Sequence, residues 1–146
     1  EMRIEHQFSI AGFEVSVSFP DGWDADTLLP SFRPFYGKKE GQEKALLKCT
    51  VCTSVENKAA MPSGELIENT LSDMGYVSLY KEAEGYCVTL SAEQGGTLHV
   101  MQADRRFSTV RVYLHEEDKR AGHALSSLLR IAYSQAVLYR RFWQSH

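Results

Sequence analysis

Hydrophobic and polar residues alternate along the first twenty positions, and this pattern predicts a β-hairpin. Over residues 4–10 the apolar side chains share one parity, and the same alternation resumes over residues 13–19 after Ala11-Gly12. A period of two is typical of a strand with one buried face, and a two-residue break that contains glycine is typical of a hairpin turn. The sequence Pro20-Asp21-Gly22 then ends the second strand with turn residues.

The next forty residues contain fewer periodic segments. Asp24 or Asp26 can cap a short helical turn through Leu28 and Leu29, which Pro30 ends. An aliphatic and β-branched run further along predicts a buried strand, and the polar and glycine-rich stretches on either side of it predict loops. In chain order the prediction is a mobile loop over 33–43, a strand over 45–55 and a second loop over 57–64.

Turn residues then recur about every ten positions, which is typical of an antiparallel meander. They fall at Asp73-Met74-Gly75, at 82–85, at 93–96 and at 104–106. The segments between these turns predict strands over 76–81, 86–92, 97–103 and 107–114.

Residues 65–72 fit two structures. Ile67, Leu71 and Met74 have helical spacing and Ser63 can cap them, whereas the Asp-Met-Gly turn that follows favours a hairpin strand. We favour the strand and keep the helix as the alternative.

The end of the chain predicts a long helix over 121–143. The acids Glu116-Glu117-Asp118 precede it, as suits a helix N-terminus, and no proline interrupts it. Its apolar stripe comprises Ala121, Leu125, Leu128, Ala132, Ala136, Tyr139 and Trp143. The opposite side, which we expect to face solvent and call the wet side, comprises His123, Ser127, Arg130, Ser134 and Arg141. Two apolar flanks widen the stripe, namely Ile131, Leu138 and Phe142 on one side and Leu129, Tyr133 and Val137 on the other. Because one sheet face covers only about 100° of a helix, we expect a further element or a partner to cover the rest.

These elements predict an α+β fold with one domain over 1–146. An antiparallel meander sheet of about seven to eight strands carries the long C-terminal helix on one face. The expected core comprises Phe8, Ile10, Phe13, Val15, Val17, Leu47, Val51, Val88, Leu90, Val100, Val110, Val112, Leu125, Leu128, Leu129, Ala132, Ala136 and Tyr139.

Composition and charge exclude several functional classes. The 146 residues are 43% hydrophobic and 24% charged, which is typical of a globular domain. A net charge of −3 argues against a nucleic-acid or membrane-surface footprint, and no apolar run is long enough to span a bilayer. The lack of a signal sequence and the odd count of three cysteines favour a reducing cytoplasm. Because Glu1 precedes Met2, we interpret it as a remnant of a tag.

The candidate catalytic residues are few. Cys49 and Cys52 form a CxxC motif, but in a strand their Cα atoms lie about 10 Å apart, beyond the roughly 7 Å limit for a disulfide. A metal site would need Cys87 and His99 as further ligands. His115 with Glu116 and Glu117 is a weaker catalytic alternative. Neither GxGxxG nor GxxxxGK[ST] is present, so we expect no ATP binding. With no other catalytic or ligand motif in the sequence, we also expect no enzyme activity, no cofactor and no metal.

Two further groups of residues, the arginine pairs and a tyrosine-rich set, are candidates for binding. The pairs Arg105-Arg106 and Arg140-Arg141 are expected to be solvated, the first in a hairpin turn and the second at the end of the long helix. A tyrosine-rich set on neighbouring strands forms either core and cross-strand pairs or an aromatic ligand- or peptide-binding surface. That set is Tyr76, Tyr80, Tyr86, Phe107 and Tyr113.

Several segments resemble the N-terminal region of bacterial P-loop proteins related to HPr kinase and ATP-dependent phosphoenolpyruvate carboxykinase, most closely the Bacteroidetes versions. The segments are 13–20, Leu29-Pro30-Ser31-Phe32, Asp73-Met74-Gly75, Gly85-Tyr86 and 128–133. In that family the helix leads into a strand and then the P-loop. Ser145-His146 lies where that strand would start, so the resemblance places the ATP site outside this chain.

The resemblance and the broad apolar helix together imply a non-catalytic accessory or regulatory domain. Its expected partner is a P-loop kinase-like domain or a second copy of the chain, docked through the C-terminal helix. The candidate interaction surface is Ile131, Leu138, Phe142, Trp143, Tyr133 and Val137. The alternative function is a stand-alone binding module that uses the aromatic sheet face.

Overall fold

The chain forms eight strands and two α-helices in a computed structural model that describes residues 2–35, 45–53 and 61–144. The strands are β1 (Arg3–Ile10), β2 (Phe13–Pro20), β3 (Leu47–Thr53), β4 (Glu65–Ser72), β5 (Gly75–Glu82), β6 (Gly85–Ser91), β7 (His99–Asp104) and β8 (Thr109–Leu114). The helices are α1 (Ala25–Leu28) and α2 (Ala121–Gln144), and a 3-10 helix spans Pro30–Phe35. The α+β fold with a long C-terminal helix is therefore confirmed.

All eight strands belong to one sheet in the order β1-β2-β3-β8-β7-β6-β5-β4. The run from β4 to β8 is the predicted antiparallel meander. The sheet is mostly antiparallel, as predicted, and departs from that pattern at one strand, because β3 inserts between β2 and β8 and is parallel to both. A parallel pair needs a crossover connection, and the segment that contains α1 and the 3-10 helix begins the crossover from β2 to β3.

The core lies between one face of this sheet and α2, which contacts β3, β6, β7 and β8. We call this side of the sheet the helix face; Val17, Val51, Val88, Met101 and Val112 lie on it. The predicted core residues are buried, except that Ile10, Phe13 and Tyr139 are only half-buried. Val100 is buried on the opposite side, the far face, in a small cluster with Cys52, Cys87 and Tyr113.

Residues 65–72 form a strand, as favoured, and not a helix. β4 pairs with β5 through the predicted turn, where Gly75 has a φ of +118°. Its register shifts between Leu66 and Glu68, which is a β-bulge. From Glu68 onward, Glu68 and Thr70 lie on the helix face, where they pair with Leu79 and Val77. Asn69 and Leu71 lie on the far face, where they pair with Ser78 and Tyr76. β4 is the last strand of the sheet.

The loop prediction needs one correction. Residues 33–35 were assigned to a mobile loop but belong to the 3-10 helix, which starts at Pro30 directly after α1. The strand expected over 45–55 begins at Leu47 and is described as far as Thr53. The rest of the first loop, residues 36–43, and positions 54–60 of the predicted strand and second loop lie outside the described residues.

The β1–β2 turn places a non-glycine residue in the left-handed region. Ala11 has a φ of +50° and Gly12 a φ of +85°, so both central residues have the positive φ of a type I′ turn. Both residues are exposed, and a Cβ added at Gly12 would meet no atom within 4 Å. The cost of alanine at this site is therefore conformational rather than steric.

Replacement of Ala11 by asparagine is expected to stabilise the protein. Asparagine tolerates the left-handed region better than alanine and is preferred before glycine in such turns. We expect Ala11→Asn to raise the free energy of unfolding by about 0.5–1 kcal/mol in urea denaturation. Ala11→Val is the control and should lower it, because a β-branched residue is strained at positive φ. A variant Ala11→Asn no more stable than the wild type would contradict this account.

Candidate functional site

A groove of about 770 Å³ lies between the C-terminal half of α2 and the end of the sheet formed by β4, β5 and β6. Its floor is the helix face of the sheet, where Val77, Leu79, Tyr86 and Val88 contribute apolar side chains. Its size falls within the roughly 300–1,000 Å³ of typical ligand sites. It is larger than two other cavities in the described part of the chain, of about 360 and 460 Å³.

One wall of the groove is a ridge along α2. It comprises Ile131, Gln135, Leu138 and Phe142, whose spacing of four, three and four residues places them on one face of a helix. Leu138 is 60% exposed and Phe142 56% exposed. Full burial of a leucine or phenylalanine side chain contributes about 1.5–3 kcal/mol, so a partner that covered this ridge would gain binding free energy from it.

The six residues of the predicted interaction surface are divided by the structure. Ile131, Leu138 and Phe142 line the groove. Tyr133 lies elsewhere, in a second cavity of about 360 Å³, where its hydroxyl donates a hydrogen bond to the Ile10 carbonyl oxygen at 2.9 Å. Val137 is half-buried against the core, and the Trp143 side chain lies outside the described residues. The surface that remains accessible is therefore one flank of the helix rather than both.

The N-terminal half of α2 is covered by a neighbour that the sequence did not reveal. α1 packs against it so closely that a Cβ at Gly122 would lie 2.8 Å from the Leu28 carbonyl oxygen. Ser127 was assigned to the wet side of the helix, and that assignment was wrong because only 1% of it is exposed. The expected exposure of His123, Arg130, Ser134 and Arg141 is confirmed.

The rim of the groove is charged. Arg105 and Arg106 are exposed in the predicted turn between β7 and β8. The Arg106 guanidinium lies 5.5 Å from the centre of the Tyr139 ring, and Arg105 donates a hydrogen bond to the Ala83 carbonyl oxygen at 3.1 Å. Glu68 lies on the β4 side. The groove thus has an apolar floor, a basic rim at the β7–β8 turn and an acid on the β4 wall.

The tyrosine-rich set does not form one surface. Tyr86 and Phe107 lie on the helix face and stack with ring centres 5.4 Å apart, so they form part of the groove and its rim. Tyr76, Tyr80 and Tyr113 lie on the far face, as their strand registers require. The five aromatic residues are therefore divided between the two faces of the sheet, two on the helix face and three on the far face.

The CxxC motif lies across the sheet, as the spacing predicts. Cys49 belongs to the main core on the helix face and Cys52 to the far-face cluster. All three cysteines are buried thiols. Burial raises the pKa of the Cys49 thiol strongly, and it raises the pKa of the Cys87 thiol to about 12. Since the thiolate is the reactive form, these groups are poor nucleophiles and poor metal ligands.

A buried histidine holds the junction between β8 and α2. His99 is 2% exposed, and its Nε2 lies 2.8 Å from an Asp118 carboxylate oxygen. Its Nδ1 accepts the His115 backbone N–H at 3.2 Å, so the neutral ring donates from Nε2. Burial lowers the pKa of His99, and the hydrogen bond from His99 lowers the pKa of Asp118.

Of the weaker catalytic alternative, His115 with Glu116 and Glu117, the structure shows one contact between side chains. His115 Nδ1 lies 3.3 Å from a carboxylate oxygen of Glu117, which is exposed. Both ring nitrogens of His99 are occupied by the contacts described above, so His99 has no lone pair available as a base. The arrangement supports a structural clamp that ties the start of α2 to the sheet.

Sequence reasoning missed the floor of the groove and found only its helical wall. The positions Val77, Leu79 and Val88 alternate as in any buried strand, and nothing in that pattern shows that the overlying layer is incomplete. The missing information was the strand order, which places β4 and β5 beyond the reach of α2.

No protein-family model, no curated protein and no solved structure matches this chain. Neither helix in the described part of the chain has the combination of length and apolarity that crossing a membrane requires.

The His99 clamp predicts a stability that falls on acidification. The unfolded state binds a proton near the ordinary pKa of 6.5, whereas the folded state resists protonation, so stability decreases as the pH falls below that value. We expect Tm to decrease between pH 7.5 and pH 5.5, and to decrease less in His99→Gln. His123→Gln, at an exposed position, should keep the wild-type slope. An unchanged slope in His99→Gln would show that another group carries the effect.

Proposed function

We propose that this domain is a non-catalytic docking module and that its groove receives an amphipathic helix from a partner protein. The observation that carries the proposal is the half-exposed ridge of α2 beside an apolar sheet surface that α2 does not cover. Soluble proteins rarely leave such contiguous apolar surface exposed, and binding is its commonest role.

The dimensions favour a helix as the occupant. Eight strands at about 4.8 Å spacing give a sheet about 34 Å wide, whereas a helix with its side chains is about 10 Å across. α2 covers the strands near the middle of the sheet, from β6 to β3. A second helix beside it would pack on β4 and β5, and its side chains would meet the ridge Ile131, Leu138 and Phe142 as in ordinary helix–helix packing.

The charges at the rim of the groove indicate which residues border the apolar face of the partner helix. Arg105 and Arg106 at the rim favour acidic residues at the border of the apolar face of the partner. A protein partner also suits the whole chain better than nucleic acid does, because the net charge is −3.

The resemblance to HPr kinase-related proteins suggests which partner this is. A P-loop kinase-like domain would supply the helix and any catalytic activity, and this domain would regulate it or present its substrate. The buried thiols Cys49, Cys52 and Cys87 are compatible with the cytoplasm as the compartment of the pair.

Two other occupants are tested with the first. A second copy of the chain can bury the same ridge by self-association through α2. A small amphipathic anion is favoured by one specific observation, the pair Arg105-Arg106 at the mouth of an apolar cavity of about 770 Å³. Each of the three occupants uses Leu138, but they differ in stoichiometry and size.

A designed helical peptide tests the docking function. It has about eighteen residues, leucines on one face at the spacing of the α2 ridge and glutamates beside them. We expect saturable binding in fluorescence anisotropy, and Leu138→Glu should raise Kd about tenfold or more, since one buried leucine contributes about 1.5–3 kcal/mol. His123→Glu makes the same charge change at an exposed site on the same helix and should bind as the wild type.

Three results would contradict a helix as the occupant. Equal binding by wild type and Leu138→Glu would place the peptide elsewhere. Saturation by laurate with no peptide binding would assign the groove to a small anion. A dimer in light scattering that Leu138→Glu dissociates would assign it to a second copy. A P-loop kinase-like domain that binds the wild type and not Leu138→Glu would support the partner that the resemblance suggests.

A further inference from the structure

β4 is a long edge strand, and the outer edge of its backbone is not part of the groove. No residue in the described ranges pairs with that edge. Seven of its eight residues are exposed. Three of these are large and aliphatic, with Leu66 49%, Ile67 51% and Leu71 65% exposed.

Natural sheets protect such edges with charged residues, especially lysine, with proline or with bulges. β4 contains no lysine, arginine or proline. Its bulge between Leu66 and Glu68 leaves residues 68–72 as a regular ladder, so the edge can accept another strand there.

The two faces of β4 differ in chemistry. On the far face Leu71 lies beside Tyr76 and Leu66 beside Tyr80, while Asn69 accepts a hydrogen bond from Ser78 at 2.8 Å. On the helix face Glu68 accepts a hydrogen bond from Thr70 at 3.0 Å. The far face of the edge is therefore mainly apolar and the helix face is acidic and polar.

The charge of the strand is entirely negative. Glu65 and Glu68 are its only ionisable residues, and neither forms an ion pair with a residue in the described part of the chain. A second copy of β4 would bring like charges to the same edge, and cross-strand like charges destabilise a pairing. A strand with basic residues would instead place a cation opposite or diagonal to Glu68.

We propose that the β4 edge binds an extended segment of a partner protein as a ninth strand, with basic residues on the helix face and apolar residues on the far face. Main-chain hydrogen bonds to β4 provide the affinity, and the alternate side chains provide the specificity. The site borders the groove at Glu68, which both share, but it differs from the groove in using the backbone edge of β4 and the exposed side chains Ile67 and Leu71.

The test uses a capped peptide of about seven residues that alternates valine and lysine. In two-dimensional NMR of the labelled protein we expect saturable shifts in residues 66–72 and slower hydrogen exchange of the β4 amides. Methylation of alternate peptide nitrogens on the pairing edge should weaken binding at least tenfold, since it removes the ladder hydrogen bonds and keeps the side chains.

Charge and position have matched controls. A peptide with glutamate in place of lysine should bind at least tenfold more weakly, and Glu68→Lys should weaken the binding of the lysine peptide at least threefold. Leu138→Ala, in the groove, should leave it within twofold.

The proposal is overturned by any of four results. These are no saturable binding at millimolar peptide, equal affinity for the N-methylated peptide, shifts confined to groove residues such as Val77 and Leu138, or concentration-dependent protection of β4 without peptide, which would indicate a second copy at the edge. Failure of this test leaves the Leu138→Glu experiment unaffected, because that experiment probes the groove through Leu138, which the β4 edge does not use.

Discussion

The organisation of this protein depends on a mismatch between the width of its sheet and the width of its helix. Eight strands extend across about 34 Å, whereas a helix with its side chains is about 10 Å across, so a single helix cannot cover the whole face. α2 lies over the centre, where β3, β6, β7 and β8 meet, and it buries Leu125, Leu128 and Leu129 there. Whatever lies beyond the reach of α2 must be covered by another element or stay exposed. The two ends of the sheet differ in this respect.

At the β1–β2 end the chain itself supplies the cover. Phe32 of the 3-10 helix meets Phe8 at a ring distance of 5.4 Å, and Leu29 after α1 is 1% exposed. The same segment closes on the N-terminal half of α2 at Gly122. At the β4–β5 end no described element plays this part. The exposed ridge of α2, the apolar floor of the groove and the bare backbone edge of β4 all occur there.

The sequence was sufficient for features that depend on local periodicity. The alternation of residues 4–19 predicts the first hairpin, and the spacing of Leu125, Leu128 and Ala132 predicts which side of α2 is buried. The wide apolar arc also predicts that one sheet face does not cover it all, and on one of its two flanks Leu138 and Phe142 are exposed. These predictions need only the geometry of one element at a time.

Features that depend on strand order were beyond such reasoning. The insertion of β3 between β2 and β8 leaves no mark in the residues of β3, which read as a buried strand in either arrangement. Ser127 is polar at a position that the helical wheel places outward, yet only 1% of it is exposed, so its burial depends on tertiary packing that the wheel does not contain. The parity of neighbouring strands separates Tyr86 from Tyr76, although each directly follows the glycine of a turn. The groove arises from these long-range placements, since it requires β4 and β5 to lie outside the span of α2 and β7–β8 to present Arg105 and Arg106 at its rim.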